Sequence, residues 1–296
     1  MAATMDSNLM NDLMEVTSYA FGLSVLRFSL SGTMWNGLSE VPCFFQLFSK
    51  GLDASQARKL HENMWYSIWH AVSFLIGFSH IVRQSWAYDL FVKHDTEAMV
   101  AGYPQSAESM GFKRFYLFEL GFWLSCCLFL GFETKRRDFY QMIVHHTSTI
   151  ILVTFSHLFD FARGGILIMV LHDVGDIFLY AAKTAQYRRL NNVADILFGC
   201  FVIAFFFARL FLLPVAILCP VVFSLWLGNE SPGMSIIIRY GQWHNMAILT
   251  GVFALLIGLH VMWGTIIIRM LVRIVKSRGA KSAASTGDPR SDDESS

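Results

Sequence analysis

The sequence predicts an all-α integral membrane protein with about seven transmembrane helices. Three observations carry the prediction. Hydrophobic residues make up 54% of the 296 and charged residues only 15%, a balance that belongs to chains with lipid-facing surface. Apolar runs of about 20 residues recur along the chain, the length that crosses a bilayer core as helix. Lys and Arg gather in alternate connections between those runs, as the positive-inside rule requires of a multi-pass protein. The net charge of +1 offers no basic surface, so no nucleic-acid partner is expected.

Taken in order, the spans are read at 16–37, 62–84, 112–132, 139–157, 163–183, 193–218 and 244–268. The first is the weakest, because Arg27 and several Ser and Gly residues interrupt it; without it the count falls to six. Residues 214–227, with Pro214 and Pro220, either extend the sixth span or form a re-entrant piece. Lys50, Arg58 and Lys59 lie between spans one and two, and Lys135, Arg136 and Arg137 between three and four. Lys183, Arg188 and Arg189 follow span five, and Arg269, Arg273 and Lys276 follow the last. These positions share one side, read as cytosolic, which leaves the acidic amino terminus (Asp6, Asp12, Glu15) lumenal and the carboxyl terminus cytosolic. Lys113 and Arg114 run against that assignment.

The division expected is 1–60 for the lumenal amino terminus, first span and cytosolic loop, 61–275 for the main helical domain, and 276–296 for a polar cytosolic tail that cannot bury a core. No cleavable signal peptide is expected, since no basic region precedes the first apolar stretch. The five cysteines (Cys43, Cys126, Cys127, Cys200 and Cys219) fall at no metal-binding spacing and read as packing residues. Asn229 opens a glycosylation sequon on the lumenal side, with Pro232 directly after it.

The candidate site rests on two clusters inside apolar stretches. His145 and His146 lie in the fourth span, and His172, Asp173 and Asp176 in the fifth. An ionisable side chain in hydrocarbon costs several kcal/mol unless it is paired or hydrated, so each is a functional candidate. A short turn joins the two spans into an antiparallel hairpin. At 1.5 Å per residue, His145, His146 and Asp176 come to lie about 10 Å deep, and His172 and Asp173 about 15 Å deep. His172 and Asp176 share a helical face, while Asp173 points about 100° away. Neighbouring His145 and His146 diverge by the same angle, so one of them addresses the reaction centre directly. Imidazoles serve as nucleophile or general base near neutral pH, and a carboxylate on the second ring nitrogen sets the tautomer. The same residue types suit a metal or a purely structural polar network. Repeated His-x-x-x-His patterns of a di-iron oxidase are absent, and no metal is expected. His70, His80, His157, His244 and His260 stand alone on or beside spans and read as interfacial or packing residues. Arg209, within an apolar run, either snorkels or faces an interior anionic group.

Together these residues resemble the signature of ceramide synthases. The resemblance is carried by Lys135-Arg136-Arg137-Asp138-Phe139, His145-His146 and the run from His172-Asp173 through Asp176 to Lys183. Glu62 to Tyr66, Phe115 to Trp123 and Ala208 to Pro214 agree with it, over about residues 60–215. One position departs: the family commonly has a glutamate where this chain has Tyr180, which leaves substrate preference or local tuning open. The resemblance implies a TLC-type bundle of six helices around a lipid cavity, with an extra amino-terminal span, in the endoplasmic-reticulum membrane. It implies N-acylation of a sphingoid base (sphinganine or sphingosine) by a fatty acyl-CoA co-substrate, with no bound cofactor. His145, His146, His172, Asp173 and Asp176 would be catalytic. Arg209, Tyr180, Lys135, Arg136 and Arg137 would bind substrate, the basic trio at the CoA phosphates. The connection at about 228–243 would bear on acyl-chain length. Membrane lipids are expected partners, and a homo- or hetero-dimer is compatible with this reading. A non-catalytic lipid sensor or chaperone of the same fold, or a lipid transporter, is the alternative.

Overall fold

The computed structural model describes residues 2–31, 44–99, 101–107, 109, 111–133, 137–218 and 243–276. The sequon at Asn229, the segment at 228–242, the tail beyond Lys276, Cys43, Cys219, Lys135 and Arg136 lie outside the described residues. Apart from one isolated bridge between Gln105 and Phe161, the regular structure among the described residues is helical. The helices are α1 (Ala2–Ser31), α2 (Ala54–Ile81), α3 (Ser85–Phe91), α4 (Lys113–Leu130), α5 (Phe139–Leu158), α6 (Ala162–Tyr187), α7 (Asn191–Ala204) and α8 (Trp243–Lys276). Each expected span falls on one of them, with the first described as far as Ser31. Three stretches, Ala162–Tyr187, Asn191–Ile217 and His244–Arg273, are long and apolar enough to cross a membrane by length and composition.

Local chemistry accounts for the helix ends. Asp53 caps α2, its carboxylate accepting the Gln56 backbone N–H at 2.8 Å. The sixth span continues past Ala204 as π-helical turns over Phe205–Leu212 and Pro214–Leu218. Pro214 lacks an N–H, and its ring would crowd a carbonyl one turn back. The widened turn, in which the Leu213 N–H donates to the Ala208 carbonyl, absorbs that misfit and carries the helix on. Pro214 therefore lies within an extension of the sixth span through Leu218.

α6 is the central helix, packed against α2 on one side and α7 on the other, while α4 contacts α1 and α5, and α8 covers α5. Glycines set the close approaches, as they do between membrane helices generally. A Cβ on Gly77 of α2 would sit 2.5 Å from Val170 Cγ2 of α6. One on Gly121 of α4 would sit 2.7 Å from Tyr19 Cβ of α1. One on Gly165 of α6 would overlap the Tyr116 hydroxyl and Ser156 Oγ.

Ionic contacts clasp α1 to the bundle at both ends. Arg27, wholly buried, pairs with Glu133 just beyond α4 at 2.5 Å and lies 4.2 Å from the Phe129 ring centroid. Tyr66 of α2 donates to the same Glu133 oxygen at 2.5 Å. The residue that weakens the first span as a sequence is thus the one that anchors it. Near the other end, Asp12 pairs with Lys113 at 2.8 Å and with His157 at 3.1 Å. Beside that end, the connection between α3 and α4 folds over the α5–α6 turn. The Gln105 N–H donates to the Asp160 carbonyl at 2.9 Å, and the Ala162 N–H donates back to the Gln105 carbonyl at 3.2 Å. Arg163 adds a hydrogen bond to the Ala98 carbonyl.

Two substitutions test this packing. Gly165→Ala forces the buried Tyr116 from its hydrogen bond to the Ala162 carbonyl and is expected to cost about 1–3 kcal/mol, read as a lower melting temperature in detergent. Gly164→Ala, where a Cβ meets nothing within 4 Å, is the matched control and should melt as wild type does. Arg27→Ala takes the paired charge from Glu133, which keeps the Tyr66 hydroxyl, and is expected to cost about 3–5 kcal/mol, most of it recovered in the Arg27→Ala/Glu133→Ala double variant.

Candidate functional site

Five helices deliver ionisable side chains to one buried region. α5 supplies His145 and His146; α6 supplies His172, Asp173 and Asp176; α2 supplies His70 and Ser73; α8 supplies His260; and the π-helical turn beyond α7 supplies Arg209. Each of these except Asp176 is buried, and the Asp176 side chain is only 14% exposed. The clusters divide into two networks on different faces of α6, as the offset of about 100° between His172 and Asp173 requires.

On the α8 side, His172 Nδ1 lies 2.7 Å from the Ile168 carbonyl one turn back, and its Nε2 lies 3.0 Å from His260 Nε2. A carbonyl only accepts, so His172 carries its proton on Nδ1. With both rings neutral, His172 Nε2 is then the acceptor and His260 Nε2 the donor. The His260 Nδ1 left without a proton is buried and has no hydrogen-bond partner among the described residues. His145 joins this side, its ring centroid 6.2 Å from His172 and 6.5 Å from His260. Tryptophan edges hold the histidine pair. Trp123 lies 5.9 Å from His145 and 5.4 Å from His146, and Trp263 lies 5.4 Å from His145. Trp263 is itself oriented by donating Nε1–H to Asp138, at the start of α5, at 3.1 Å. His145 is therefore the member of the pair that looks into the His172–His260 cluster, while His146 packs against Trp123.

On the α2 side, Asp173 Oδ1 lies 2.7 Å from His70 Nδ1, and Asp173 Oδ2 accepts the Ser73 hydroxyl at 2.5 Å. Asp173 is thus bonded to a histidine of another helix and not to its neighbour His172. The reason is geometric, because adjacent residues on one helix cannot turn side chains toward each other. Glu119 of α4 is buried beside this group. Tyr180 stacks on His70, with centroids 5.8 Å apart and planes 5° from parallel, and on Tyr66 at 4.9 Å. Tyr180 thus sets an aromatic face against the site, at the one position that departs from the resemblance.

Arg209 joins the two sides. Its Nη2 reaches Asp176 Oδ2 at 2.6 Å and the His172 carbonyl at 2.6 Å. The π-helical turn aims it there, beside Gly175. Of the two options the sequence left for Arg209, the interior carboxylate is the one realised.

All five residues expected to be catalytic thus lie in one region, with Arg209 and Tyr180 against them. Arg137 is exposed, at the start of α5. His70 and His260 were expected to be packing residues, and here the structure differs. Their sequence signal was the same as for the clusters: an ionisable group on an apolar helix needs a polar partner. Being single, each pointed to no particular partner. His157 likewise pairs with Asp12, at the far end of α5.

Comparison with known proteins gives this geometry a lineage. A family model described as the TLC domain matches residues 59–269, well over half of the chain. Human (Homo sapiens) ceramide synthase 4 is 33% identical over 219 residues, which cover 74% of this chain and 51% of that protein. Human ceramide synthase 5 is 32% identical over 263 residues, 88% of this chain and 61% of that protein. Ceramide synthase LOH2 of Arabidopsis thaliana is 27% identical over 237 residues, 80% of this chain and 76% of that protein. The chain spans about half to three fifths of the length of the mammalian relatives it matches. The matched region, from early α2 to late α8, contains every residue of the two networks, and on that match the chain belongs to the TLC-domain family.

Proposed function

We propose that this protein is a ceramide synthase, transferring a fatty acyl group from acyl-CoA to the amine of a sphingoid base within the endoplasmic-reticulum membrane. The observation that carries the reading is the convergence of five buried imidazoles, two carboxylates and one guanidinium from five helices. Assembling such groups in an apolar bundle costs several kcal/mol per unpaired member, an outlay unneeded for packing alone. Relatives bearing the name ceramide synthase support the reading across most of this chain. In this proposal the chain crosses the membrane seven times, with a lumenal amino terminus and a cytosolic carboxyl terminus. The thioester arrives from the cytosolic side near His145, while the acyl chain lies among the apolar helix faces, at roughly 0.8 kcal/mol per buried methylene.

The chemistry proceeds in two transfers. His145 attacks the thioester carbonyl, a C–N bond forms, the C–S bond breaks, and the imidazole N–H proton leaves with the thiolate as CoA thiol. The sphingoid amine then attacks the acyl-imidazole carbon, the amide C–N bond forms, and the imidazole departs with the amine's proton. The His172–His260 pair supplies a neighbouring acceptor at His260 Nδ1, since both tautomers follow from the Ile168 carbonyl. Asp176, held by Arg209, places a carboxylate for the amine. Lys135, Arg136 and Arg137 attract the CoA phosphates. Direct attack by the amine, with a histidine only as base, uses the same residues and differs in forming no acyl-enzyme.

The test is acyltransferase activity in membranes of cells lacking their own ceramide synthases, given sphinganine and a panel of acyl-CoAs. Wild type should form ceramide, and His145→Ala should lose about 10²-fold or more at equal expression. No product with any acyl-CoA from a folded protein would reject the activity and bring forward lipid binding or transport. Acyl-enzyme trapped in a single turnover and absent in His145→Ala marks the covalent route. Arg209→Lys is expected to lower activity by about 10–100-fold, because one ammonium replaces a planar fork that serves Asp176 and the His172 carbonyl together.

A further inference from the structure

We infer that His70 is the base that deprotonates the acceptor amine, and that His70 Nε2 and Asp176 Oδ2 form the ammonium-binding site. The inference rests on the acyl-transfer reading above and adds a residue to it. The hydrogen bonds around Asp173 decide the state of His70. Oδ2 accepts from Ser73 at 2.5 Å, leaving Oδ1, 2.7 Å from His70 Nδ1, to accept the ring N–H. With Nδ1 protonated, the neutral ring presents a lone pair at Nε2. That lone pair lies 4.0 Å from Asp176 Oδ2, too far for a hydrogen bond between the two. Two acceptors at this separation are complementary to one nitrogen carrying at least two N–H bonds, since a nitrogen about 2.8 Å from each fits the spacing. A primary ammonium is such a group.

The surroundings suit a base. The Tyr180 ring lies parallel to the imidazole and Phe122 meets it edge-on at 5.7 Å, so its orientation is locked. Asp173 plays the part of the carboxylate in an Asp–His dyad, setting the tautomer and stabilising the imidazolium that forms. The charged and titratable groups around it are Asp173 and Asp176 of α6, with Glu119 on α4, His146 on α5 and His172 on α6 nearby, and Arg209 bonds the same Asp176 Oδ2 at 2.6 Å. The step balances. An ammonium R–NH3+ gives one proton to His70 Nε2 and becomes the neutral nucleophile. The amide C–N bond forms as the bond from the acyl carbon to its leaving group breaks, that group takes the second amine proton, and His70 returns its proton to solvent. Placing the base on α2 and the nucleophile on α5 gives the two tasks to different imidazoles, so one need not be both.

The experiment compares wild type, His70→Gln and His70→Phe in the same membranes, with sphinganine and the acyl-CoA that wild type uses best, from about pH 7 to about pH 9. His70→Phe keeps the ring against Tyr180, and His70→Gln keeps an N–H for Asp173. Both variants are expected to lose about 10²-fold near pH 7. Both should then recover by roughly tenfold per pH unit, because the free-amine fraction grows at that rate below the amine pKa, whereas wild type changes little. Wild-type rates in either variant, or a loss equal at every pH, would overturn the assignment. Absence of ceramide from wild type itself would reject the acyl-transfer reading instead, so the two failures are distinguishable.

Discussion

The pairing of the α6 carboxylates governs this molecule. Asp173 and Asp176 sit on one helix in an apolar bundle, where an unpaired carboxylate is too costly to persist. Their partners come from different directions: His70 and Ser73 from α2, and Arg209 from the widened turn beyond α7. The helices that pack most directly on α6 are the ones that carry these partners. Polar satisfaction and helix packing therefore select the same arrangement, and neither can slip by a residue without orphaning a charge.

The π-helical turn shows local strain turned to use. A regular helix through Pro214 would be kinked or broken. Widening the preceding turn keeps the chain helical and re-aims the residues within it, Arg209 among them. The Arg209 guanidinium then spans a carboxylate and a backbone carbonyl of α6, a bridging task suited to its planar fork.

α1 is held by a different logic. It contributes no residue to the two networks, yet it is clasped at both ends by ion pairs, Asp12 to Lys113 and His157, and Arg27 to Glu133. The Arg27 cluster also leads inward. Tyr66 bonds Glu133 and stacks on Tyr180, which stacks in turn on His70. A continuous line of contacts thus runs from the buried arginine of α1 to the α2 side of the site. Tyr180, the position that departs from the resembling family, is the aromatic link in that line.

Much of this protein was determined by sequence alone, because membrane physics is local. Apolar runs of sufficient length must become helices, so within the described residues every expected span falls on a helix. Paired ionisable residues inside such runs identified His145, His146, His172, Asp173 and Asp176 as one region, since depth follows from rise per residue. Partner choice was decided only by tertiary structure. Periodicity states that His172 and Asp173 diverge, but not that Asp173 meets His70 and His172 meets His260, residues separated by 103 and 88 positions. Arg27 and Lys113 likewise conflicted with the span and charge patterns until their acidic partners were brought alongside. A lone ionisable residue declares that it needs a partner, and only the packing of helices supplies its identity.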